Sequence, residues 1–489
     1  MVESYISSLS AYVPELLACL VMVGLVILEA TYSKIEDGKR GLFNLFSLLG
    51  LLAVAIVLLL QKSNSATTIF TGSMTIDLLA SMAKLVMVIG TIGAFYLSWG
   101  SKDIADEQKG EFSILAVGVL IGGMILASAN NMLMFYIGIE TLSILSYAMA
   151  SFKKNDDRSA EAGLKYALYG GISAGLMLFG MSHIFGVLGT IQFSEIAMKV
   201  TELQTQQLVI LIPAFLFFFV GIGYKIACVP FHMWSPDVYE GSPLPVTAFF
   251  SIVPKVAGIA ALLRVTQLFF AHESVLSHSW MATISVMAAL TMTVGNVSAI
   301  GQRSMKRMLA YSSIGHSGVL MLCALVPGVE GQTAFLFYTF VYLFMTLLAF
   351  FMISAMNDTY GNDYFERFNG FAFRYPMMAI LLTVVMLSLA GIPPLGGFVA
   401  KFRVLSIIIE KKFFTLAIIT GINSVISLYY YLKVVRLMVF KPTETMEEIK
   451  TLSYVNQLIY FIIAIPVVWL GINWASVNGL LGVVSQSHH

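Results

Sequence analysis

Charged residues are scarce in this sequence. Lysine, arginine, aspartate and glutamate make up 11% of its 489 residues and hydrophobic residues 58%, whereas a soluble protein is about 25% charged. So little charge excludes an ordinary soluble enzyme. The 28 basic and 27 acidic residues nearly cancel, and without a strong net charge we expect no nucleic acid as a partner.

Cysteine is also rare, and its spacing excludes most cofactor sites. Cys19, Cys228 and Cys323 stand singly in apolar runs, which gives no ligand spacing for an iron–sulfur cluster, a zinc ion or a haem. The glycine-rich patterns of nucleotide-binding loops are absent from the sequence as well. If the protein serves redox chemistry, we expect the redox centres in other chains, with no cofactor or metal bound by this one.

Apolar runs of helical length are abundant. Because about 20 residues cross a bilayer as a helix, these runs predict about fourteen spans in a single all-α transmembrane domain over residues 1–489. The predicted spans are roughly residues 14–32, 42–61, 76–99, 112–129, 131–152, 160–188, 207–230, 243–270, 277–300, 307–327, 331–356, 374–409, 413–438 and 454–478.

The connections between these spans differ in their basic residues. Clusters at 34–40, 102–109, 153–158 and 303–307 alternate with connections that carry few lysines or arginines. Because basic residues concentrate on the cytoplasmic side of a membrane protein, this alternation predicts that both termini lie on the outer side.

Ionisable residues also occur inside the predicted spans, one on each of five helices. They are Glu140, Lys165, Lys225, Lys255 and Lys401, on spans 5, 6, 7, 8 and 12. A charge at the bilayer centre costs at least about 2.5 to 3.5 kcal/mol, so we expect these groups to face a paired or hydrated interior. Burial disfavours the charged form and an opposite charge restores it, which suits a proton relay.

Two histidines extend this candidate relay, and the other residues have simpler interpretations. His232 and His316 lie among small and polar residues, and histidine can pass a proton between its two nitrogens. We expect Lys165 to pair with Glu140. Lys84 and Arg403 are interpreted as helix-end residues that snorkel to the interface or as members of structural ion pairs.

Two of the predicted spans contain interruptions. One lies around Gly221, Gly223, Lys225 and Pro230, and the other at the GIPPLGG segment, Gly391–Gly397. Broken helices at matching places of two halves are typical of inverted-repeat transporters. The sequence therefore predicts discontinuous helices 7 and 12 within two inverted five-helix repeats, residues 112–270 and 277–438.

The segments that carry these residues resemble the antiporter-like membrane subunits of respiratory complex I, the proton-pumping NADH:quinone oxidoreductase. The resemblance covers nearly the whole chain and is strongest over Gly223–Arg264, Lys306–Gly318 and Leu389–Phe402, with FYIGIETLSILSYAM around Glu140. It implies a fourteen-span fold with two inverted repeats and a hydrophilic axis.

The resemblance also implies roles for individual residues. Glu140 matches the family's fifth-helix glutamate, and Lys165, Lys225, Lys255 and Lys401 match its lysines on the sixth, seventh, eighth and twelfth helices. Such a chain is a non-redox, proton-translocating subunit in a bacterial inner membrane. Its complex uses NADH, FMN, iron–sulfur clusters and quinone, and its partners are a neighbouring antiporter-like subunit, small membrane subunits and lipid.

Three points remain open at this stage. Multisubunit cation/proton antiporters and membrane-bound hydrogenases share much of this pattern, and a purely structural membrane scaffold is a further alternative.

Pro254, directly before Lys255, is expected to widen a local break in its helix, because proline removes a helical hydrogen bond.

Overall fold

The computed structural model describes residues 2–32, 38–61, 66–269, 273–440 and 454–473. One short antiparallel pair, β1 (Thr67–Ile69) and β2 (Met74–Ile76), accompanies the helices. The helices are α1 (Val2–Ala11), α2 (Val13–Tyr32), α3 (Gly38–Leu60), α4 (Leu78–Gly100), α5 (Lys109–Ser128), α6 (Met132–Ala150), α7 (Asp157–Leu188), α8 (Phe193–Glu202), α9 (Thr205–Lys225), α10 (Trp234–Gly241), α11 (Leu244–Thr266), α12 (Val275–Ile300), α13 (Met305–Met321), α14 (Val329–Tyr360), α15 (Phe371–Arg374), α16 (Pro376–Ala390), α17 (Gly396–Glu410), α18 (Phe414–Phe440) and α19 (Tyr454–Ile472).

Thirteen helices of the described part are long and apolar enough to cross a membrane, so the predicted all-α polytopic fold is confirmed. The prediction of about fourteen spans differs from this count at one place. Predicted span 374–409 consists of α16 and α17, each 15 residues long, with residues 391–395 between them. Gly391 ends α16 with a φ of +89°, a conformation that favours glycine.

The seventh predicted span is also interrupted, after Lys225 and around Pro230 as expected, but not at the two glycines. α9 continues through Gly221 and Gly223 to Lys225, and helix resumes at α10 after residues 226–233. The two glycines serve packing instead. A Cβ on Gly221 would lie 2.2 Å from Sδ of Met177 on α7, so only glycine allows α7 and α9 to approach this closely.

α11 is the central helix of the molecule. Every residue of Leu244–Thr266 is buried, and the helix packs on α4, α5, α13 and α14. The local break expected at Pro254 is wrong, because α11 is continuous through that residue. Packing on all sides holds the helix where proline removes one backbone hydrogen bond.

Short polar side chains begin several of the helices that border the centre. Asp77 accepts from the backbone N–H of Ala80 at the start of α4 (2.8 Å), and Asn131 accepts from that of Met134 at the start of α6 (2.7 Å). Such N-caps satisfy backbone donors that have no partner within the helix. The Asn131 cap sets where α6, the helix that carries Glu140, begins.

Candidate functional site

Lys225 is completely enclosed at the last residue of α9. Its Nζ lies 3.1 Å from Oγ of Ser143 and 3.4 Å from Oη of Tyr166. Ser143 stands one turn after Glu140 on α6, so both side chains lie on one face of that helix. Glu140 is half-buried, and Lys225 is the cation that acts on it electrostatically. The predicted fifth- and seventh-helix groups therefore lie together.

An aromatic stack supports Lys225 from the side of α10. The Tyr166 and Trp234 rings are stacked with centroids 4.2 Å apart, and Nζ of Lys225 lies 5.5 Å from the Tyr166 ring centroid. Trp234 also donates through Nε1 to the carbonyl oxygen of Tyr224, at 3.1 Å. The first residue of α10 thus packs directly against the tyrosine that lies next to Lys225.

Lys165 does not pair with Glu140, and that expectation is wrong. Its Nζ lies 2.6 Å from Oδ2 of Asp237 and 2.6 Å from Oε1 of Glu161, and its side chain is 36% exposed. Glu161 is one turn earlier on α7, while Asp237 is on α10. The gap between α9 and α10 brings Asp237 beside Lys165, which spacing along α7 cannot reveal.

Asp237 lies at the centre of a group of ion pairs on α10. Arg307 on α13 donates to Oδ1 of Asp237 at 2.9 Å and to Oε2 of Glu240 at 2.7 Å. Burial by itself would raise the pKa of Asp237, but the hydrogen bonds from Lys165 and Arg307 hold that pKa below its ordinary value. α10 is therefore bound electrostatically to both α7 and α13.

Lys255 lies buried on α11, facing α13. Its Nζ donates to Oγ of Ser313, and the same hydroxyl accepts from Oη of Tyr342 at 2.9 Å. The Tyr239 ring of α10 lies 6.0 Å from the Lys255 ammonium. The second lysine is thus surrounded by hydroxyl groups from three helices, with no carboxylate paired to it among the described residues.

His316 links the surroundings of Lys255 to those of Lys401. It stands one turn after Ser313, its Nδ1 is 2.7 Å from Oη of Tyr338, and its Nε2 is 3.3 Å from Oη of Tyr431. Lys255 and Lys401 both act on it electrostatically. The predicted position of His316 in a polar interior agrees with these contacts.

Lys401, on α17, binds the end of α16 across the helix interruption between them. Its Nζ donates to the carbonyl oxygens of Leu389 and Ala390, both at 2.9 Å. These are the last carbonyls of α16, where the helix dipole attracts a cation. A small polar cavity adjoins the lysine, and it is lined by Asn296, His316, Lys401, Thr420, Asn423 and Ser427 among others.

His232 occupies a different position from His316. It lies in the segment between α9 and α10 and is buried, and its Nδ1 makes no hydrogen bond to any described residue. Within the described part of the chain no hydrogen bond joins it to Lys225, so its part in a relay stays a prediction.

Lys84 is held inside the protein, whereas Arg403 is only partly buried. Both Lys84 and Glu15 are fully buried and form an ion pair between α4 and α2, so the ion-pair interpretation holds for Lys84 and snorkelling does not. Arg403 donates to Oγ1 of Thr333 at 3.1 Å and lies 5.7 Å from the Phe337 ring centroid.

Several residues of the site were not singled out from the sequence. Tyr166, Ser313, Tyr338 and Tyr431 read as ordinary residues of apolar spans. A signal was present for Ser313, because serines and a histidine recur at helical spacing in the segment YSSIGHSG. The tyrosines gave no such signal, since aromatic residues are common in membrane helices.

Comparison with known proteins fits this arrangement. Residues 129–427 match the family model described as NADH:quinone oxidoreductase/Mrp antiporter, transmembrane region. Two similar relatives are named NADH-quinone oxidoreductase subunit N. The one from Azorhizobium caulinodans is 39% identical over 91% of this chain and 92% of its own. The one from Sorangium cellulosum is 34% identical over 96% of each.

Solved structures show the same architecture. A chain of respiratory complex I from Thermus thermophilus with bound aureothin has a TM-score of 0.81 at 27% identity, over 96% of this chain and 99% of that one. A chain of an archaeal membrane-bound sulfane sulfur reductase has a TM-score of 0.86 at 22% identity, over 98% and 97%, which shows the fold alone.

The helical fold and its row of enclosed lysines define an antiporter-like membrane subunit. Given its identity to the curated relatives over nearly the full length, the chain belongs to the NADH-quinone oxidoreductase subunit N family. It is accordingly a multi-pass membrane protein.

Proposed function

We propose that this chain translocates protons as a membrane subunit of a bacterial NADH:quinone oxidoreductase. The observation that carries the proposal is the row of buried lysines Lys225, Lys255 and Lys401, each in contact with hydroxyl or carbonyl oxygens inside the bundle. Buried charge in a membrane protein is costly and is retained where it acts. Because the relatives are named NADH-quinone oxidoreductase subunit N, we take the reduction of quinone by NADH as the reaction to which this row would be coupled.

Glu140 and Lys225 form the first unit of the path. When Glu140 is ionised it stabilises the ammonium form of Lys225, and when Glu140 is neutralised or shielded the enclosed ammonium loses that stabilisation and releases its proton. A shift in charge or conformation next to Glu140, arriving from quinone reduction in another subunit, would thus move one proton onward.

Lys255 and Lys401 form the later part of the path. Ser313 and His316 lie between them on α13, and a histidine flanked by tyrosine hydroxyls can take a proton on one nitrogen and release it from the other. Lys401 would receive the proton beside the polar cavity and exchange it with the outer side. In this scheme Lys165 acts on the path through Asp237 and α10, and His232 would pass protons between Lys225 and Lys255.

The remaining features of the proposal concern the whole complex. NADH, FMN, iron–sulfur clusters and quinone would be bound by other subunits, and the neighbours of this chain would be another antiporter-like subunit and small membrane subunits. Both termini would lie on the outer side, as the basic residues predict. Residues 112–270 and 277–438 would form the two inverted repeats.

A cation/proton antiporter without a redox partner is the second candidate. The matching family model includes Mrp antiporters, and a chain of the Mrp complex from Dietzia shares the fold, with a TM-score of 0.81 at 19% identity. Such a protein would exchange cations for protons in vesicles that receive no NADH.

The test is NADH-driven proton uptake by inverted membrane vesicles that carry Lys225→Ala, with complex assembly and NADH oxidation followed on the same membranes. We expect an assembled complex that no longer pumps. Lys199→Ala is the matched control, because Lys199 binds the Leu188 carbonyl on α7 at 2.7 Å and lies outside the row. Normal pumping by Lys225→Ala would overturn the proposal, and cation exchange without NADH would favour the antiporter.

A further inference from the structure

The part of α11 that follows Lys255 is apolar for more than two turns. Residues 256–263 are valine, alanine, glycine, isoleucine and leucine only, and all of them are buried. At 1.5 Å per residue this apolar section is about 12 Å long. The basic residues between the spans predict that this end of α11 faces the outer side. A proton from the outer side would have to cross the apolar section to reach Lys255.

Close packing accompanies the apolar section. A Cβ on Gly258 would lie 2.7 Å from Cγ2 of Ile226, and a Cβ on Gly123 of α5 would lie 3.0 Å from Sδ of Met87 and 3.5 Å from Cβ of Ala257. Small residues thus bring the neighbouring segments into direct contact with α11. A buried water needs space and polar partners, and the side chains of this section supply no polar partner.

Aromatic rings adjoin the outer end of α11 on one side. The Phe269 and Trp280 rings are stacked with centroids 4.7 Å apart, and Phe215 and Phe219 of α9 meet this pair edge-on. Nε1 of Trp280 donates to Oγ1 of Thr266, the last residue of α11, at 3.1 Å. The polar groups at this helix end therefore bond to each other, and the four rings present apolar surface around them.

Arg264 occupies the side of the same helix end that faces α4 and α5. Its Nη1 donates to Oδ2 of Asp77 at 3.1 Å and its Nη2 to Oδ1 at 3.0 Å. Nε and Nη2 also donate to the carbonyl oxygen of Ala127, at 3.2 and 2.9 Å. The Arg264 side chain is 7% exposed and that of Asp77 is 22% exposed. The guanidinium is therefore the more enclosed member of the pair.

The β1–β2 hairpin joins the elements that hold Arg264. Met74 of β2 pairs with Ala129 just after α5, and Nδ2 of Asn130 donates to the carbonyl oxygen of Gly72 at 2.9 Å. β2 then leads directly into Asp77, the N-cap of α4. The ion pair thus lies where a hairpin, two helix ends and α11 meet.

An enclosed guanidinium repels a proton that approaches it. Arginine stays protonated at every accessible pH, so an arriving proton cannot neutralise its charge. The repulsion is stronger in an enclosed site than in water, because the effective dielectric constant is lower. Fixed arginine charges exclude protons in this way from pores that conduct water. The bonds to Asp77 keep the charge in place, since an unpaired buried charge is costly.

We propose that Arg264, held by Asp77, prevents protons on the outer side from exchanging with Lys255 and so gives transport its direction. Together with residues 256–263, this pair forms what we call the outer barrier. The inference rests on the proposed function, because a pump whose intermediate lysine is open to the outer side loses the gradient that it makes. Exchange with the outer side is left to Lys401, which adjoins the small polar cavity.

A purely structural role makes a different prediction. A clamp needs the bidentate geometry, so Arg264→Lys and Asp77→Asn should then be as harmful as any loss of Arg264. The outer barrier needs only the positive charge, which both of these variants retain, and asparagine also preserves the N-cap of α4. Arg264→Gln separates the two roles, because it retains N–H donors and loses the charge.

The test measures passive proton entry, without NADH, into liposomes that carry the purified complex. The liposomes are made of phosphatidylcholine and phosphatidylglycerol, they enclose a pH-sensitive dye, and a potassium diffusion potential drives protons inward. We expect Arg264→Gln and Arg264→Met to raise the rate of entry about tenfold, the order expected when the repulsion of one enclosed unit charge is removed. Arg264→Lys and Asp77→Asn should stay as tight as the native complex.

Two further readings complete the measurement. With NADH present, the Arg264→Gln complex should oxidise NADH at no less than the native rate while holding a smaller pH gradient. Lys199→Met is the matched control, because Lys199 is another basic residue of the predicted outer side and also binds a helix-end carbonyl, that of Leu188 at 2.7 Å. Its liposomes should be as tight as those of the native complex.

A double variant shows whether the leak passes Lys255. Adding Lys255→Met to Arg264→Gln should make the liposomes tight again, because a proton that crosses the apolar section then finds no amine to accept it. A leak of the same size in the double variant would come from general loosening of the bundle and would overturn the inference.

The outcomes separate the outer barrier from the function. Tight liposomes with Arg264→Gln, or equal leaks in Arg264→Gln, Arg264→Lys and Asp77→Asn, overturn the barrier. Lys255→Met alone, in NADH-driven proton uptake, tests the function. If Lys255→Met stops pumping while Arg264→Gln stays tight, the proposed function stands and the barrier is wrong. If Lys255→Met pumps normally, the function fails and the barrier fails with it.

Discussion

Nζ of Lys165 lies 2.6 Å from Oδ2 of Asp237, and this contact joins the long helix α7 to the short helix α10. Arg307 of α13 occupies the other carboxylate oxygen at 2.9 Å. Because both oxygens are held, the rotation of α10 about its axis is fixed. Its Trp234 then faces Tyr166 beneath Lys225, and its Tyr239 faces Lys255. The short helix that Lys165 binds thus also carries aromatic residues next to Lys225 and Lys255.

Replacing Lys165 by alanine should slow pumping without stopping it. The pair is partly exposed, and such pairs contribute about 0.2 to 1 kcal/mol, so we expect a loss of at most about fivefold. Lys165→Arg keeps the ion pair and should pump normally. NADH-driven proton uptake measures the effect. A complete loss, equal to that of Lys225→Ala, would place Lys165 on the path itself.

Acid should release α10 from its partners. The folded-state pKa of Asp237 is held below its ordinary value, so the ion pairs stabilise the protein at neutral pH and are lost as the pH falls through that folded-state pKa. The effect is small, up to about 1 kcal/mol, because the pair is partly exposed. The measurement is the fraction of this subunit that stays in the purified complex at each pH. For the native chain this fraction should decline in acid. For Asp237→Asn it should be lower at neutral pH and change less with pH. Equal curves would contradict this.

Lys401 can be tested by a residue that keeps the charge and loses the exchangeable proton. Lys401→Arg should still donate to the carbonyl oxygens at the end of α16, and arginine stays protonated at any accessible pH. We expect a normally assembled complex with pumping reduced at least about tenfold, the size of effect typical of a lost proton-transfer group. Lys401→Met should also lose assembly, since it leaves the Leu389 and Ala390 carbonyls without their donor. Normal pumping by Lys401→Arg would make the residue structural.

The buried lysines could be predicted from sequence because a charge inside an apolar run is expensive wherever the fold puts it. Lys225, Lys255 and Lys401 needed only this argument, and all three are enclosed. Partners could not be predicted in the same way. Lys165 appeared to suit Glu140 on the preceding span, but its partner Asp237 comes from a helix whose position depends on the gap at residues 226–233.

The interrupted helices also show that packing partners cannot be predicted from the sequence. GIPPLGG predicted the division between α16 and α17 at the right place, because two prolines and a left-handed glycine end a helix whatever surrounds them. Gly221 and Gly223 were misread, because a glycine within a helix is equally suited to close packing, and only the positions of neighbours such as Met177 beside Gly221 and Phe231 beside Gly223 decide between the two. Pro254 was misread for a similar reason, since packing around α11 is invisible in the sequence.

The ion pair between Lys84 and Glu15 should matter for stability and not for pumping. Removing one member leaves a buried, uncompensated charge, which costs about 3 to 5 kcal/mol, whereas replacing both by apolar residues of similar volume is often neutral. We therefore expect Lys84→Met to reduce the amount of assembled complex strongly, and Lys84→Met combined with Glu15→Leu to restore most of it. Proton uptake per assembled complex should be unchanged in both, because the pair joins α2 to α4 and, among the described residues, makes no ion pair with a lysine of the row. A pumping defect in the restored double variant would show that Lys84 belongs to the proton path.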